Sequence, residues 1–370
     1  MHFKQITIRE ISIAVGFSAA TVSLALRGHP RISQCTREII RAKADEMGYR
    51  PNPVMAAHWA AVRMRQPPKF QSVIALLNDW DEPEKWRNSR YLKPFIAAFQ
   101  RRAEALGYIV EEFALVNDKP LSHRELKLRL ESISKVFRAR GISTYAVFTS
   151  SNPALICEAS SYFASQTSVF IGHEYLLGDS KIPGKRHIPY HRVCASGYAN
   201  MIVLLDELRS LGYKRPGYWP NRWSELGSGG EGAAAFNFYL QSLPEDDRIL
   251  VRWAEWTTMQ DVSAMKPHFL EWLEVSKPDV VICGNLEVRA WIESTNRKIP
   301  RDIGLAHVDL SDYEEGWSGI VQRHDRIAWA AVDLLTSQLN RNERGVPEFT
   351  KEIRIEGEWL TGGTTRPQRQ

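Results

Sequence analysis

The stretch SAATVSLALRGHP, Ser18 to Pro30, constrains the fold of this chain more than any other. A small polar residue leads an apolar pattern too short to serve as a core helix by itself. Two further short patterns flank it. In TIREISIAV, Ile8, Ile11, Ala14 and Val15 recur at three- and four-residue steps, with Thr7 placed to cap the helix. Gly16 ends that helix, because the tight turn after it needs a positive φ. Ser18 is placed to cap a second helix, with Val22, Ala25 and Leu26 inward and Ala19, Ala20, Ser23, Leu24 and Arg27 outward. Ser33 opens a third, with Ile39, Ile40, Ala44 and Met47 spaced for a core face and Gly48 as its end. Two helices joined by a Gly-containing turn, with a third packed behind, predict a helix-turn-helix.

Charge agrees with that expectation. Met1 to Gln66 hold ten Lys or Arg against four Asp or Glu, a net of +6, within a chain of net +5, so the other 304 residues carry −1. An excess confined to one end fits a polyanion-binding module on a neutral body. A solvated basic tail would lack the apolar periodicity. At 370 residues, with 44% hydrophobic residues and 12 tryptophans, the chain has material for two or three domains. No window holds the ~18 consecutive apolar residues of a membrane span. MHFKQITIRE has no apolar run after its charges, so no signal peptide is expected. Cys35, Cys157, Cys194 and Cys283 are scattered without CxxC spacing, which suits reduced thiols. A cytoplasmic protein is expected, with no membrane partner.

The N-terminal residues also carry a resemblance. ITIREISIAVGFSAATVSLALRGHPRIS, then TREIIRAKADEMGYRPN, closely resembles the DNA-binding domain of the lactose-repressor (LacI) family, almost without gaps from Thr7 to Asn52. The TVS core, the Gly-x-Ser turn and the closing GYRPN are specific in combination, against the alternative of an ordinary small helical bundle. The resemblance implies that the helix after Ser18 enters the major groove with its first side chains on base edges. Ala19, Ala20, Ser23 and Leu24 would then face bases. Thr7, Ser18, Thr21, Arg27 and His29 would hold phosphates and sugars, and Asn52 closes the DNA-contacting set. The family often has a long polar residue where this chain has Leu24, and a bulkier one at Ala19, so a relative's operator does not transfer.

In that family the next residues form a hinge helix that orders on DNA and, paired across a dimer, wedges into the minor groove. Here the segment reads PNPVMAAHWAAVRMRQPPKF, with His58 at the usual leucine position and Ala56 where an arginine often stands. Ala-rich spacing through Met64 favours helix, and Pro67-Pro68 stop it. Arg63, Arg65 and Lys69 keep it basic, and Met55, His58 and Trp59 are the wedge candidates. The alternative is a helix packed on the core domain.

From Ser72 apolar runs alternate with helical patterns. SVIALL, IVEEFAL, ISTYAVFTS, TSVFIGHE, RPGYWP, RILVRW, DVVICGN and IGLAHVDL predict strands. PFIAAFQRRAEALGY, RELKLRLESISKVFRARG, ANMIVLLDELRSLGY, AAAFNFYLQSL and AWIESTN predict helices. This order implies parallel sheets with helices on both faces, and the length implies two lobes. The expected architecture is multidomain: a small all-α helix-turn-helix domain (5–52), a hinge and linker (53–70), and a two-lobed α/β body (71–365). Lobe one would span about 71–175 plus 322–345. The resemblance extends to a body like periplasmic sugar-binding proteins, through ANMIVLLDELRSLGYKRPGYW, KPDVVICGN, IPRDIGLAHVDL and IVQRHDRIAWAAVDLL. It implies an effector, a sugar or sugar derivative, between lobes at the carboxyl ends of strands.

By position the effector-binding candidates are Asp79, Trp80, Tyr91, Ser150, His173, Glu174, Arg222, Trp223, Asn285, Asp309 and Gln322. Aromatic rings would stack on a sugar face, and carboxylates and amides would bind hydroxyls. For each aromatic, core packing is the alternative. Against the family pattern, Ser196 and Ala199 replace an aspartate and a glycine, Gly232 falls near a sugar-gripping arginine, and Leu286 follows Asn285 in place of aspartate; Asp309 matches. GSGGEG (227–232) has glycine-fingerprint spacing but follows WPNRWSEL rather than a strand, so a flexible loop over the cleft is expected, not a nucleotide site. Pro189 between His187 and His191 prevents a shared helical face, so no metal is expected. No catalytic constellation is visible and no cofactor is expected.

The resulting expectation is a bacterial, nucleoid-associated transcription regulator, a repressor. It would act as a homodimer on double-stranded operator DNA and respond to a small-molecule effector. The alternatives are a regulator with a ligand-insensitive cleft, a solute-binding protein, and a sugar-metabolising enzyme fused to a DNA-binding module.

Overall fold

A computed structural model of the chain describes residues 6–26, 32–49, 72–78, 92–115, 122–148, 153–172, 189–254, 259–310 and 316–368. The fold is a small N-terminal helix-turn-helix followed by an α/β body with two mainly parallel sheets.

The N-terminal unit comprises α1 (Ile8–Val15), α2 (Ala19–Leu26) and α3 (Gln34–Glu46). Its ends are set locally. Thr7 accepts from the Glu10 amide at 3.3 Å while the Glu10 carboxylate accepts from the Thr7 amide at 2.7 Å, a reciprocal cap. Gly16 stops α1 at φ 71°, a conformation that favours glycine. Ser18 accepts from the Thr21 amide at 3.0 Å and Ser33 from the Thr36 amide at 3.2 Å, opening α2 and α3. The turn leaves α1 and α2 at 105°. Ile11, Val22, Ala25, Ile40 and Ala44 form the core. Ala14 and Ile39, expected on core faces, are instead exposed, Ile39 by 51%. Neighbouring residues lie ~100° apart on a helix, so Ile39 and Ile40 cannot share one narrow stripe.

The body runs β1 (Ser72–Asn78), α4 (Leu92–Ala105), β2 (Tyr108–Ala114), α5 (His123–Arg140), β3 (Thr144–Phe148), α6 (Pro153–Tyr162), β4 (Thr167–Ile171) and β5 (Arg192–Ala195). It continues with α7 (Gly197–Ser210), β6 (Pro216–Trp219), α8 (Arg222–Gly227), α9 (Glu231–Leu240), α10 (Lys266–Ser276), β7 (Val280–Cys283), α11 (Glu287–Glu293) and β8 (Gly304–His307). The last elements are β9 (Ser318–Val321), α12 (His324–Arg341), β10 (Glu352–Ile355) and β11 (Glu358–Leu360). Sheet one has the order β10-β5-β4-β3-β1-β2, every pair parallel. Sheet two has the order β11-β9-β8-β7-β6, parallel except for β11. The inner strands β3, β4, β7 and β8 are buried throughout, as strands covered on both faces must be. On sheet one, Ile74 and Leu76 pack with α4 and α12 while Ala75 and Leu77 pack with α5 on the other face. On sheet two, Val281 and Cys283 pack with α10 and α11 while Val280 and Ile282 pack with α7 and α9.

Lobe one differs from the expected bounds of 71–175 plus 322–345, because β5 and β10 also join its sheet. Both are four-residue strands toward one edge of the sheet, and β10 pairs with β5 from far away in sequence, so no local pattern announces them. RILVRW, expected as a strand, forms none. It runs beside edge strand β6 with only scattered bonds, Arg252 N to Tyr218 O at 3.4 Å and Ala254 N to Pro220 O at 3.0 Å. The 227–232 stretch, expected as a flexible loop, instead joins the end of α8 to the start of α9 through a tight turn at 228–230, with Gly230 donating to the Glu225 carbonyl at 2.6 Å. Among the described residues no single helix is long and apolar enough to cross a membrane.

Topology positions the site. The chain leaves sheet one after the last residue of β5 and enters α7; it leaves sheet two after the last residue of β9 and enters α12. The carboxyl ends of both sheets therefore adjoin the same junction. Asn200 of α7 clasps it by accepting from the Gly357 amide at 2.7 Å, and Arg354 of β10 pairs with Glu231 of α9 at 2.6 Å.

Candidate nucleic-acid interface and strand-end site

The N-terminal unit presents α2 at the open side of its core. Ala19 and Ala20 are exposed and Thr21, Ser23 and Leu24 half-buried, while Val22 and Ala25 are fully buried. The hydroxyls of Ser18 and Thr21 lie 2.8 Å apart, so the cap ties up the polar groups at the start of the helix. Helix α2 carries no charged side chain; Arg9 on α1 and Arg37 and Arg41 on α3 supply the cations of the described part of the unit, besides Lys43, which pairs with Glu46 at 2.7 Å. Thr7 is exposed and committed to its cap. Arg27, His29, Asn52, Met55, His58 and Trp59 lie outside the described residues.

A second concentration of polar groups lies at the carboxyl ends of sheet two. Trp219, Cys283 and His307 end β6, β7 and β8 and are aligned across the sheet, so they share one face. His307 is buried and accepts from the Asp309 amide at Nδ1, 3.0 Å, which places the remaining proton on Nε2. Burial pushes its pKa down to about 4, so the ring is neutral at pH 7. Among the described residues its Nε2 has no hydrogen-bond partner, nor do Trp219 Nε1 and Asn285 Nδ2. Asn285 is held in place by accepting from the Glu287 amide at 2.9 Å. Beside Trp219 a cavity of about 470 Å³ is lined by Val251, Arg252, Trp253, Met265 and His268. The buried N–H groups are donors, and a ligand that satisfies them must bring acceptors.

Of the sequence candidates, Asn285, Asp309 and Gln322 follow strand ends of sheet two, and Arg222 opens α8 after β6. Trp223 lies on α8, with its side chain outside the described set. Asp79, Trp80, Tyr91, Ser150, His173 and Glu174 lie outside the described residues. Sequence reasoning missed Trp219 and His307, although each is the last residue of a strand, where open α/β sheets bind ligands. Among the described residues no three His, Cys, Asp or Glu side chains gather as a metal site.

Residues 7–52 match the bacterial regulatory proteins of the lacI family. The N-terminal unit is a lacI-family domain. The lacI-type unit also resembles the maltose regulon regulatory protein MalI of Escherichia coli (strain K12), 46% identical over 46 residues. That match covers 12% of this chain and 14% of the relative's length. The whole chain is similar in fold to the Lac repressor dimer bound to operator and the anti-inducer ONPF, with TM-score 0.56 and 16% identity, covering 98% of this chain and 100% of that one. It is similar too to a transcriptional regulator CelR–cellobiose complex, with TM-score 0.55 and 14% identity, covering 97% and 100%.

Behind the lacI-type unit, the body departs from the family pattern at a definable place. Near the position where the resemblance implies an arginine, Gly232 in the first turn of α9 sits against a buried pair, Tyr218 donating to Glu225 at 2.5 Å. Glu225 also accepts from the Ala233 amide at 3.0 Å. A Cβ on residue 232 would meet the Glu225 carboxylate at 2.6 Å, so no side chain is accommodated there without a shift.

Proposed function

We propose that this chain is a sequence-specific DNA-binding transcription regulator, a repressor, acting as a homodimer on a pseudo-palindromic operator. The observation that carries the reading is the lacI-family unit itself, with α2 set at 105° to α1 and its small face open. One short recognition helix reads only a few base pairs, so two half-sites are needed for useful specificity. Ala19, Ala20, Ser23 and Leu24 face bases, and Thr7, Ser18, Thr21, Arg27, His29 and Asn52 the backbone. Met55, His58 and Trp59 supply the minor-groove wedge. It is not an enzyme.

The effector is a small acceptor-rich molecule, a sugar or sugar derivative, held at the strand ends by Asn285, Asp309, Arg222 and Gln322, with His307 and Trp219 as further donors. Bound cellobiose in one relative of the same fold supports the ligand class. To switch occupancy strongly it must favour one state by several kcal/mol, on the order of 5. A second reading is a regulator whose body senses nothing, favoured by the closed Tyr218–Glu225 pair beneath Gly232.

The test is a fluorescence-anisotropy titration of the full chain on DNA from around its own gene, at several salt concentrations, with a panel of sugars. Saturable, steeply salt-dependent binding to one fragment, shifted by one sugar, is the expected result. Specific binding that no sugar alters selects the second reading. Weak binding, equal on all fragments, overturns both.

A further inference from the structure

We propose that α2 selects its half-site through thymine methyl groups rather than through hydrogen bonds to guanine. The proposal rests on the DNA-binding reading and deepens it. Major-groove guanine is read by Arg or Lys, adenine by Asn or Gln, cytosine by Asp or Glu, and the thymine C5-methyl by apolar side chains. From Ala19 to Leu26 this helix contains none of the first three sets. Its open positions are methyl and isobutyl groups, Ala19 and Ala20 exposed and Leu24 half-buried. The hydroxyls of Ser18 and Thr21 are engaged with each other at 2.8 Å, and Ser18 also accepts from the Thr21 amide at 3.0 Å. Ser23, half-buried, is the polar side chain in the middle of the face. The surface is therefore matched to an apolar bump on the base edge and mismatched to the paired acceptors of guanine.

A bidentate hydrogen-bonded contact discriminates more sharply than a methyl contact, so specificity is spread over several thymines and over the deformability of the duplex. Short side chains also let the helix backbone sit close to the groove floor. The preferred half-site is one whose α2 footprint is rich in A·T pairs.

The full chain would be used to select sites from a random duplex library. Each thymine of the selected half-site is then replaced by deoxyuridine, which removes only the methyl, and each guanine by 7-deazaguanine, which removes only the N7 acceptor. Binding is read by anisotropy. The expected result is a loss of about three- to tenfold at two or more thymines in the α2 footprint, with 7-deazaguanine neutral there. Leu24→Ala should abolish the deoxyuridine penalty at one thymine and leave the others. Because the base substitutions leave the protein untouched, misfolding cannot imitate the result. Enriched sites indifferent to deoxyuridine but weakened tenfold by 7-deazaguanine overturn the inference and leave the DNA-binding reading standing. A library that yields no enriched site overturns both.

Discussion

The N-terminal unit is held by five buried side chains, Ile11, Val22, Ala25, Ile40 and Ala44, whereas each sheet of the body carries an apolar cluster on both faces. The two regions also obtain their geometry differently. In the small unit, helix ends are fixed by residues three positions away, Thr7 with Glu10, Ser18 with Thr21 and Ser33 with Thr36. In the body, alignment comes from parallel pairing between strands far apart in sequence, such as Arg192 with Glu352. Each region is therefore vulnerable in a different way. A domain this small buries little surface and is only marginally stable, so a local loss can remove the whole unit. The larger body can absorb the same loss.

The largest effect separates them directly. Ile11→Ala in the small core should cost about 2–5 kcal/mol, enough to unfold the unit and abolish DNA binding. Ile282→Ala, fully buried in sheet two, should cost a similar amount yet leave the body folded at 25 °C. Limited proteolysis and thermal unfolding of the full-length variants would check this. Loss of the body's resistance in the first variant would contradict independent folding of the two regions.

Next in size is a pH effect confined to the body. Burial holds the folded His307 imidazole at about 4, below its ordinary value of 6.5. Between these values the unfolded chain takes up a proton that the folded chain does not, so stability falls as pH falls from 6.5 to about 4. At ~1.4 kcal/mol per unit the loss is about 3 kcal/mol, complete near the lower value. Denaturant midpoints at pH 7, 5.5 and 4 should show that decline in the wild type. It should flatten in His307→Phe, and an unchanged slope would show that His307 is not the group responsible.

These two regions were also unequally legible. The helix-turn-helix could be read almost whole because caps, Gly16 and Gly48 act within a few residues, and spacing alone identified Val22 and Ala25 as its core. Only Ala14 and Ile39 were misassigned, since two adjacent apolar residues leave the choice of inner position to tertiary packing. In the body the apolar runs predicted β1, β2, β3, β4, β6, β7 and β8, but not the short β5, β9, β10 and β11; β10 is a strand only through its pairing with the distant β5. RILVRW has strand composition yet meets too little of β6 to form a ladder. The row formed by Trp219, Cys283 and His307 was invisible in the sequence because only the sheet register aligns them. The placement of Asn285 just past a strand end was legible because the apolar run of β7 stops at Cys283, two residues before it.

A smaller effect tests the reliance on local signals. Ser33→Ala removes the acceptor for the Thr36 amide and should cost about 1 kcal/mol. Ser196→Ala removes the comparable cap of α7 in the body, where Ser196 accepts from the Ala199 amide at 3.4 Å. Both should cost about the same by equilibrium unfolding. Only the first should weaken DNA binding, because a loss of that size is a large fraction of a small domain's stability. Equal effects on binding would mean that the lacI-type unit is stiffer than its core implies.

The smallest effect lies on the surface of the same unit. Lys43 and Glu46 pair at 2.7 Å in the last turn of α3, with side chains 35% and 66% exposed. Such an exposed pair contributes about 0–1 kcal/mol, so Glu46→Gln should leave thermal stability nearly unchanged. The same change removes one negative charge from a region of net +6 and leaves Lys43 without its counterion. Affinity for DNA of any sequence should rise slightly, and the dependence of log K on log salt should steepen by less than about one unit. Stability and DNA affinity would thus move independently in the one region where a core substitution moves them together. If Glu46→Gln instead lowers the melting temperature by several degrees, the pair belongs among the local fixtures that hold the unit, and its small core is supplemented by charge as well as by caps.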